Sequence, residues 1–177
     1  TGELLLTNGS DGTRGYKSKF SHNTEIAKAG YYSVTLQDYN IDVELTVSKR
    51  AGFHKYTFNS DKKAQLILDL EHRDRLTSSN IEVVNNNSIK GWRHSSNWAE
   101  TQRLYFYIQL SEKITETIYR EDSLVAGFKF GEIENPLLVM VGISAVSTKN
   151  AKENLKTEIP HWDFNKTLNQ TTKQWER

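Results

Sequence analysis

Residues 30–58, GYYSVTLQDYNIDVELTVSKRAGFHKYTF, constrain the fold most, because their polarity repeats every two residues and is broken twice by short turn signals. Within residues 41–48, Ile41, Val43, Leu45 and Val47 fall on one face of a pleated strand and Asp42, Glu44, Thr46 and Ser48 on the other. The flanking runs, 31–36 and 53–58, are rich in β-branched and aromatic residues and end at Asp38-Tyr39-Asn40 and Lys49-Arg50-Ala51-Gly52. Junctions this short place consecutive strands side by side, so the stretch predicts a three-stranded antiparallel meander.

The rest of the chain extends that pattern. Residues 1–6 read as a short strand, 7–15 as a glycine-rich loop and 16–25 as a structured loop with neither clean period. Leu66, Leu68 and Leu70 alternate within a strand over 64–70, and runs 81–84 and 89–93 form a hairpin across Asn85-Asn86-Asn87-Ser88. Further strands are expected over 104–110 and 124–130. The run 137–143 is apolar on both faces, as a central core strand would be.

After Ser147 the period changes. Ala151 and Leu155, then Phe164, Leu168 and Trp175, recur at helical intervals, and Asp163 is a suitable N-cap. Two short helices joined at Ile159-Pro160-His161 would either leave the sandwich for a following domain or pack back on it. About ten strands with helix only at the end predict an all-β, two-sheet sandwich.

At 177 residues the chain fits one domain, and without cysteine it has no disulfide, thiolate metal site or thiol nucleophile. Lys plus Arg number 23 and Asp plus Glu 22, so no net field favours nucleic acid. No apolar run approaches the roughly 20 residues of a membrane-spanning helix. The sequence starts inside an expected strand and stops inside a helical pattern, so both ends read as cut from something longer.

Five histidines are scattered without a paired metal-ligand spacing. His54 shares a strand face with Tyr56 and Phe58, which suits a hydrogen-bonded core residue. The charge-dense run from Asp69 to Arg75 reads as a solvated strand end. A glycosidase acid/base pair would have to come from such carboxylates, but spacing alone places none at the required separation. Trp92 and Trp98 bracket the polar segment Gly91-Trp92-Arg93-His94-Ser95-Ser96-Asn97-Trp98. Rings so placed either cap the core or stack on the C–H face of a sugar whose hydroxyls bind nearby polar groups.

Several segments together resemble the N-terminal domain of glycoside hydrolase family 92. They are Tyr16 with Phe20-Ser21-His22-Asn23-Thr24-Glu25, then Ala29-Gly30-Tyr31-Tyr32-Ser33-Val34, then Glu44-Leu45-Thr46 and Arg50-Ala51-Gly52-Phe53-His54-Lys55-Tyr56-Thr57-Phe58. Trp98-Ala99-Glu100-Thr101-Gln102 with Tyr105-Phe106 follows, then Val141-Gly142-Ile143-Ser144-Ala145-Val146-Ser147, Ala151 with Asn154-Leu155, Glu158 and Trp162-Asp163-Phe164. Asn23 and Lys28-Ala29 depart from the family's usual Glu and Pro.

The resemblance implies a β-supersandwich of the galactose-mutarotase-like kind over 1–147, lacking its N-terminal part. A helical linker over 148–177 would lead to an absent (α/α)6 catalytic domain. It implies an exported bacterial enzyme, periplasmic, cell-surface or secreted. The enzyme would remove terminal α-linked mannose, with α-1,2 linkages expected, by an inverting, calcium-dependent mechanism.

The catalytic residues and the calcium would belong to the helical domain, so none is assigned here and the chain alone is expected to be inactive. His22, Glu25 and Trp98 are the expected substrate-binding residues, lining one side of a mannose cleft. The structural alternatives are that His22 and Glu25 only fix their loop and that Trp98 closes the core. From a different class, a free-standing carbohydrate-binding or adhesion sandwich would share these features without hydrolytic activity. A mutarotase-like epimerase would need its own histidine and carboxylate pair in an open cleft, which the spacing does not show.

Overall fold

A computed structural model describes residues 3–59, 63–72 and 74–176. The expected meander is present as β2 (Tyr31–Leu36), β3 (Ile41–Val47) and β4 (Ala51–Phe58). Val43 lies opposite Val34 on one side and Tyr56 on the other, so one face of all three strands is apolar. Its outer neighbour, β1 (Ile26–Lys28), is exposed throughout and was not legible as a strand.

Strand β11 (Leu137–Ser144) lies between β4 and β8 (Gln102–Leu110), in the central position its two apolar faces predicted. It joins the meander to the hairpin of β6 (Arg75–Asn85) and β7 (Ser88–Ser96), giving the order β1-β2-β3-β4-β11-β8-β7-β6. A second sheet has the order β5-β10-β9, formed by Lys63–Asp69, Val125–Glu132 and Ile114–Tyr119. Ala126, Phe128 and Phe130 of this small sheet pack on Ile89, Phe106, Ile108 and Val139 of the large one. That layer is the main core, because apolar area leaves water on both sides of it.

The expected strand at residues 1–6 does not form over its described part, residues 3–6. Leu4 instead covers the outer side of the small sheet, its side chain occupying the space that a Cβ at Gly127 would need. Residues 1–2 lie outside the described residues.

The two helices pack back on the large sheet, on the face away from the small one, making a third layer. Helix α1 (Thr148–Glu158) starts at Ser147, whose hydroxyl accepts from Asn150 N, and buries Ala151 and Leu155. Helix α2 (Phe164–Trp175) starts at Asp163, as its N-cap chemistry predicted. Trp175 does not join the buried stripe: Thr167 and Thr171 do, and the Thr171 hydroxyl bonds the Val47 carbonyl. A threonine can bury its methyl and satisfy its hydroxyl at once, which apolar periodicity does not reveal.

Glu158, at the end of α1, fastens that helix to the β3–β4 turn. Its carboxylate accepts from the Ser48 hydroxyl at 2.6 Å, Arg50 N at 2.8 Å and Arg50 Nε at 2.7 Å. Burial pushes its carboxyl up, but these hydrogen bonds outweigh burial and hold it below the usual carboxylate range. A depressed folded value stabilises the protein above the unfolded pKa, near 4.5, and that contribution is lost as pH falls through the folded value. Glu158→Gln is therefore expected to cost about 1–2 kcal/mol at neutral pH, with the deficit shrinking below about pH 4. Urea unfolding of both proteins across that range measures it, and a deficit that ignores pH would contradict the assignment.

Candidate functional site

The sequence before β1 folds into one 3₁₀ turn, His22–Thr24, because Ser21 caps it. Ser21 Oγ accepts from Asn23 N at 3.2 Å, and the Ser21 carbonyl accepts from both Thr24 N and Thr24 Oγ1 at 3.0 Å. The backbone becomes extended again at Glu25, whose N–H donates to the His22 carbonyl. This spacing of three brings His22 and Glu25 to the same side of the turn, with 2.5 Å between Nδ1 and Oε2.

The second carboxylate oxygen of Glu25 accepts from the Tyr32 hydroxyl at 2.7 Å. Tyr32 reaches it because β1 and β2 pair with Ala27 opposite Tyr32. The Tyr32 hydrogen bond, then that of His22, hold the Glu25 carboxyl below its ordinary range, outweighing a smaller opposing push from desolvation. The same bond raises the Tyr32 phenol.

Exposure divides the group in two. The Glu25 side chain is 24% exposed and the His22 side chain 86%, so the carboxylate is an inward anchor and the imidazole an outward group. The half-exposed Phe20 ring stands edge-on to His22 with centroids 5.5 Å apart. An outward imidazole beside an apolar ring can meet a hydroxyl and a C–H surface together.

Trp98 is elsewhere. It sits in the loop between β7 and β8, 96% exposed, so it does not close the core. Asn97, which donates to Asp74 Oδ1 at 2.9 Å, fixes the base of that loop. Four strand spacings separate β2 from β8, on the order of 20 Å across the sheet. The structure thus brings His22 and Glu25 together and leaves Trp98 apart, too far for one sugar ring to touch all three.

The other candidates take structural places. His54 Nδ1 lies 2.9 Å from the Tyr56 hydroxyl; burial lowers the histidine and pushes the tyrosine up to about 12, as suits a core pair. Trp92 Nε1 donates to the Ser78 hydroxyl at 3.1 Å. Asp69 accepts from the Tyr16 hydroxyl and from two backbone amides, and Arg120 bridges Glu71 and Asp122. Arg73 lies outside the described residues, among which no group of three His, Asp or Glu side chains could hold a metal ion.

The sequence reading named His22 and Glu25 but not Tyr32, whose hydroxyl the structure gives to Glu25. The adjacent Gly30-Tyr31-Tyr32 was a signal for a strand start, and only the β1–β2 register turns it into a site contact.

A profile of the glycosyl hydrolase family 92 N-terminal domain matches residues 1–154. The fold is similar to the family GH92 α-mannosidase BT3965 from Bacteroides thetaiotaomicron, with TM-score 0.88 and 27% identity over 99% of this chain and 27% of that one. BT3965 in complex with mannoimidazole gives the same TM-score and identity over 26% of its chain. The family GH92 glycosyl hydrolase ccman5 shares the fold at TM-score 0.79 and 22% identity, over 89% of this chain and 25% of its own. No curated protein matches the sequence. This chain therefore spans little more than a quarter of the length of the enzymes it resembles. With the family profile over most of its length and the two-sheet sandwich in place, the chain belongs to the N-terminal domain of glycosyl hydrolase family 92.

Proposed function

We propose that this chain is the supporting β-sandwich of an enzyme that removes terminal α-linked mannose, with α-1,2 linkages preferred, from glycans. The observation that carries the reading is the similarity to the α-mannosidase BT3965 along 99% of the chain at 27% identity. Inverting hydrolysis needs an acid and a base roughly 6.5–9.5 Å apart with room for water between them. The candidate loop here offers one carboxylate, and both its oxygens are engaged by Tyr32 and His22. The acid and base then come from the companion (α/α)6 domain.

The calcium proposed for the reaction, an ion that takes six to eight oxygen ligands, belongs to that domain too. This chain contributes one wall of the mannose cleft, with His22 and Glu25 at the sugar and Trp98 on a more distant part of the glycan. A glycan substrate puts the protein outside the bacterial cytoplasm, in the periplasm, at the cell surface or secreted.

A binding module without hydrolytic activity is the second reading, favoured by the bare Trp98 ring. A calorimetric titration with mannose separates the two. The chain alone is expected to bind more weakly than millimolar, because it holds half of a cleft. Millimolar or tighter binding by the isolated chain would favour the binding module.

A further inference from the structure

The Ser21 cap and the Tyr32 bond to Glu25 already hold the turn before β1, so the loop does not need the His22 ring to keep its shape. Yet that ring is fixed. Glu25 is an ionised carboxylate and can only accept: the Tyr32 hydroxyl supplies Oε1, and Nδ1 of His22 must supply Oε2. A neutral imidazole that donates from Nδ1 carries a lone pair on Nε2, the reverse of the tautomer that free histidine prefers. The ring is largely in solvent, with the Phe20 edge beside it.

We propose that Tyr32 and Glu25 are positioning residues that lock His22 as the Nδ1–H tautomer, so that its outward Nε2 accepts a hydrogen bond from a sugar hydroxyl. The ligand class follows from the neighbouring groups. A lone acceptor next to an apolar ring fits a face on which hydroxyls alternate with C–H groups, and a terminal hexose has such a face. This rests on the mannosidase reading for the identity of the sugar but not for the tautomer. Carboxylate, imidazole and hydroxyl then form a chain in which each hydrogen bond polarises the next.

The test is nitrogen NMR with histidine-selective labelling. In this chain at pH 8, His22 is expected as the Nδ1–H tautomer, reverting towards Nε2–H in Glu25→Ala and mixed in Tyr32→Phe. In the protein that also carries the helical domain, saturating mannose is expected to move the Nε2 resonance. Glu25→Ala should lower kcat/KM there about tenfold, the size of one charge-assisted hydrogen bond, with kcat little changed. A merely structural Glu25 would leave the tautomer as in free histidine, and that result overturns the proposal, as does an Nε2 resonance indifferent to saturating mannose. If that protein releases no mannose, the mannosidase reading falls separately. The tautomer then still decides the positioning, and an Nε2 resonance unmoved by mannose, glucose and galactose alike would overturn the acceptor role.

Discussion

Gly142→Ala is expected to lift α1 off the large sheet and cost about 3 kcal/mol, the upper end for overpacking a close contact. Gly142 is on β11, paired with Ala51 and Tyr107, and its missing side chain points at the helix layer. A Cβ there would stand 2.2 Å from the Ala151 carbonyl oxygen and 2.7 Å from the Leu155 Cβ. The first of these is backbone and cannot rotate away, so either the strand or the helix must shift. The Glu158 anchor and the Ser147 cap would both be pulled out of register, which adds to the cost. Gly131→Ala is the control: nothing lies closer than 4.0 Å to its Cβ, and its stability should change by under about 0.5 kcal/mol. Urea unfolding with amide exchange across α1 tests the pair, and equal stability of the two variants would contradict the packing described.

Phe53→Ala should cost about 4 kcal/mol, since it removes a fully buried aromatic ring from the joint between sheet and helices. Phe53 projects from β4 onto that layer, with the Phe164 ring 5.5 Å away and the Trp162 ring 6.3 Å away, both edge-on. The vacated space would be lined by Phe164, Met140 and Leu155, which belong to different elements and cannot all move in to fill it. Against a typical total stability of roughly 5–15 kcal/mol, this one change takes a large share. Phe53→Leu, which keeps most of the volume, should cost well under half as much. Thermal unfolding of the two variants gives the comparison, and a Phe53→Ala loss below about 1 kcal/mol would show that the helices contribute little to the domain.

The elements legible in the sequence are those that bury a face. The meander, β8 and β11 alternate or run apolar because one or both of their faces are buried, and Asp163 announced α2 through its capping chemistry. Strand β1 is exposed along its whole length and β9 is an edge strand half in water, so neither has a hydrophobic face for a pattern to display. Residues 3–6 show the opposite failure. Their leucines are apolar enough to read as a strand, but the segment does not pair, and Leu4 serves as a cover over Gly127 instead. At the candidate site, His22 and Glu25 were named through the family resemblance and not through a local pattern, whereas Tyr32 depends on strand register and Trp98 on a loop whose exposure no periodicity encodes.

The most direct measurement is mannose release from α-1,2-mannobiose by the full-length encoded protein, proposed to carry the helical domain, beside this chain alone, each with calcium and with a chelator. Release by the longer protein only, abolished by the chelator, is the predicted result. No release from any α-mannoside by either protein would contradict the proposal that this chain is part of a mannosidase.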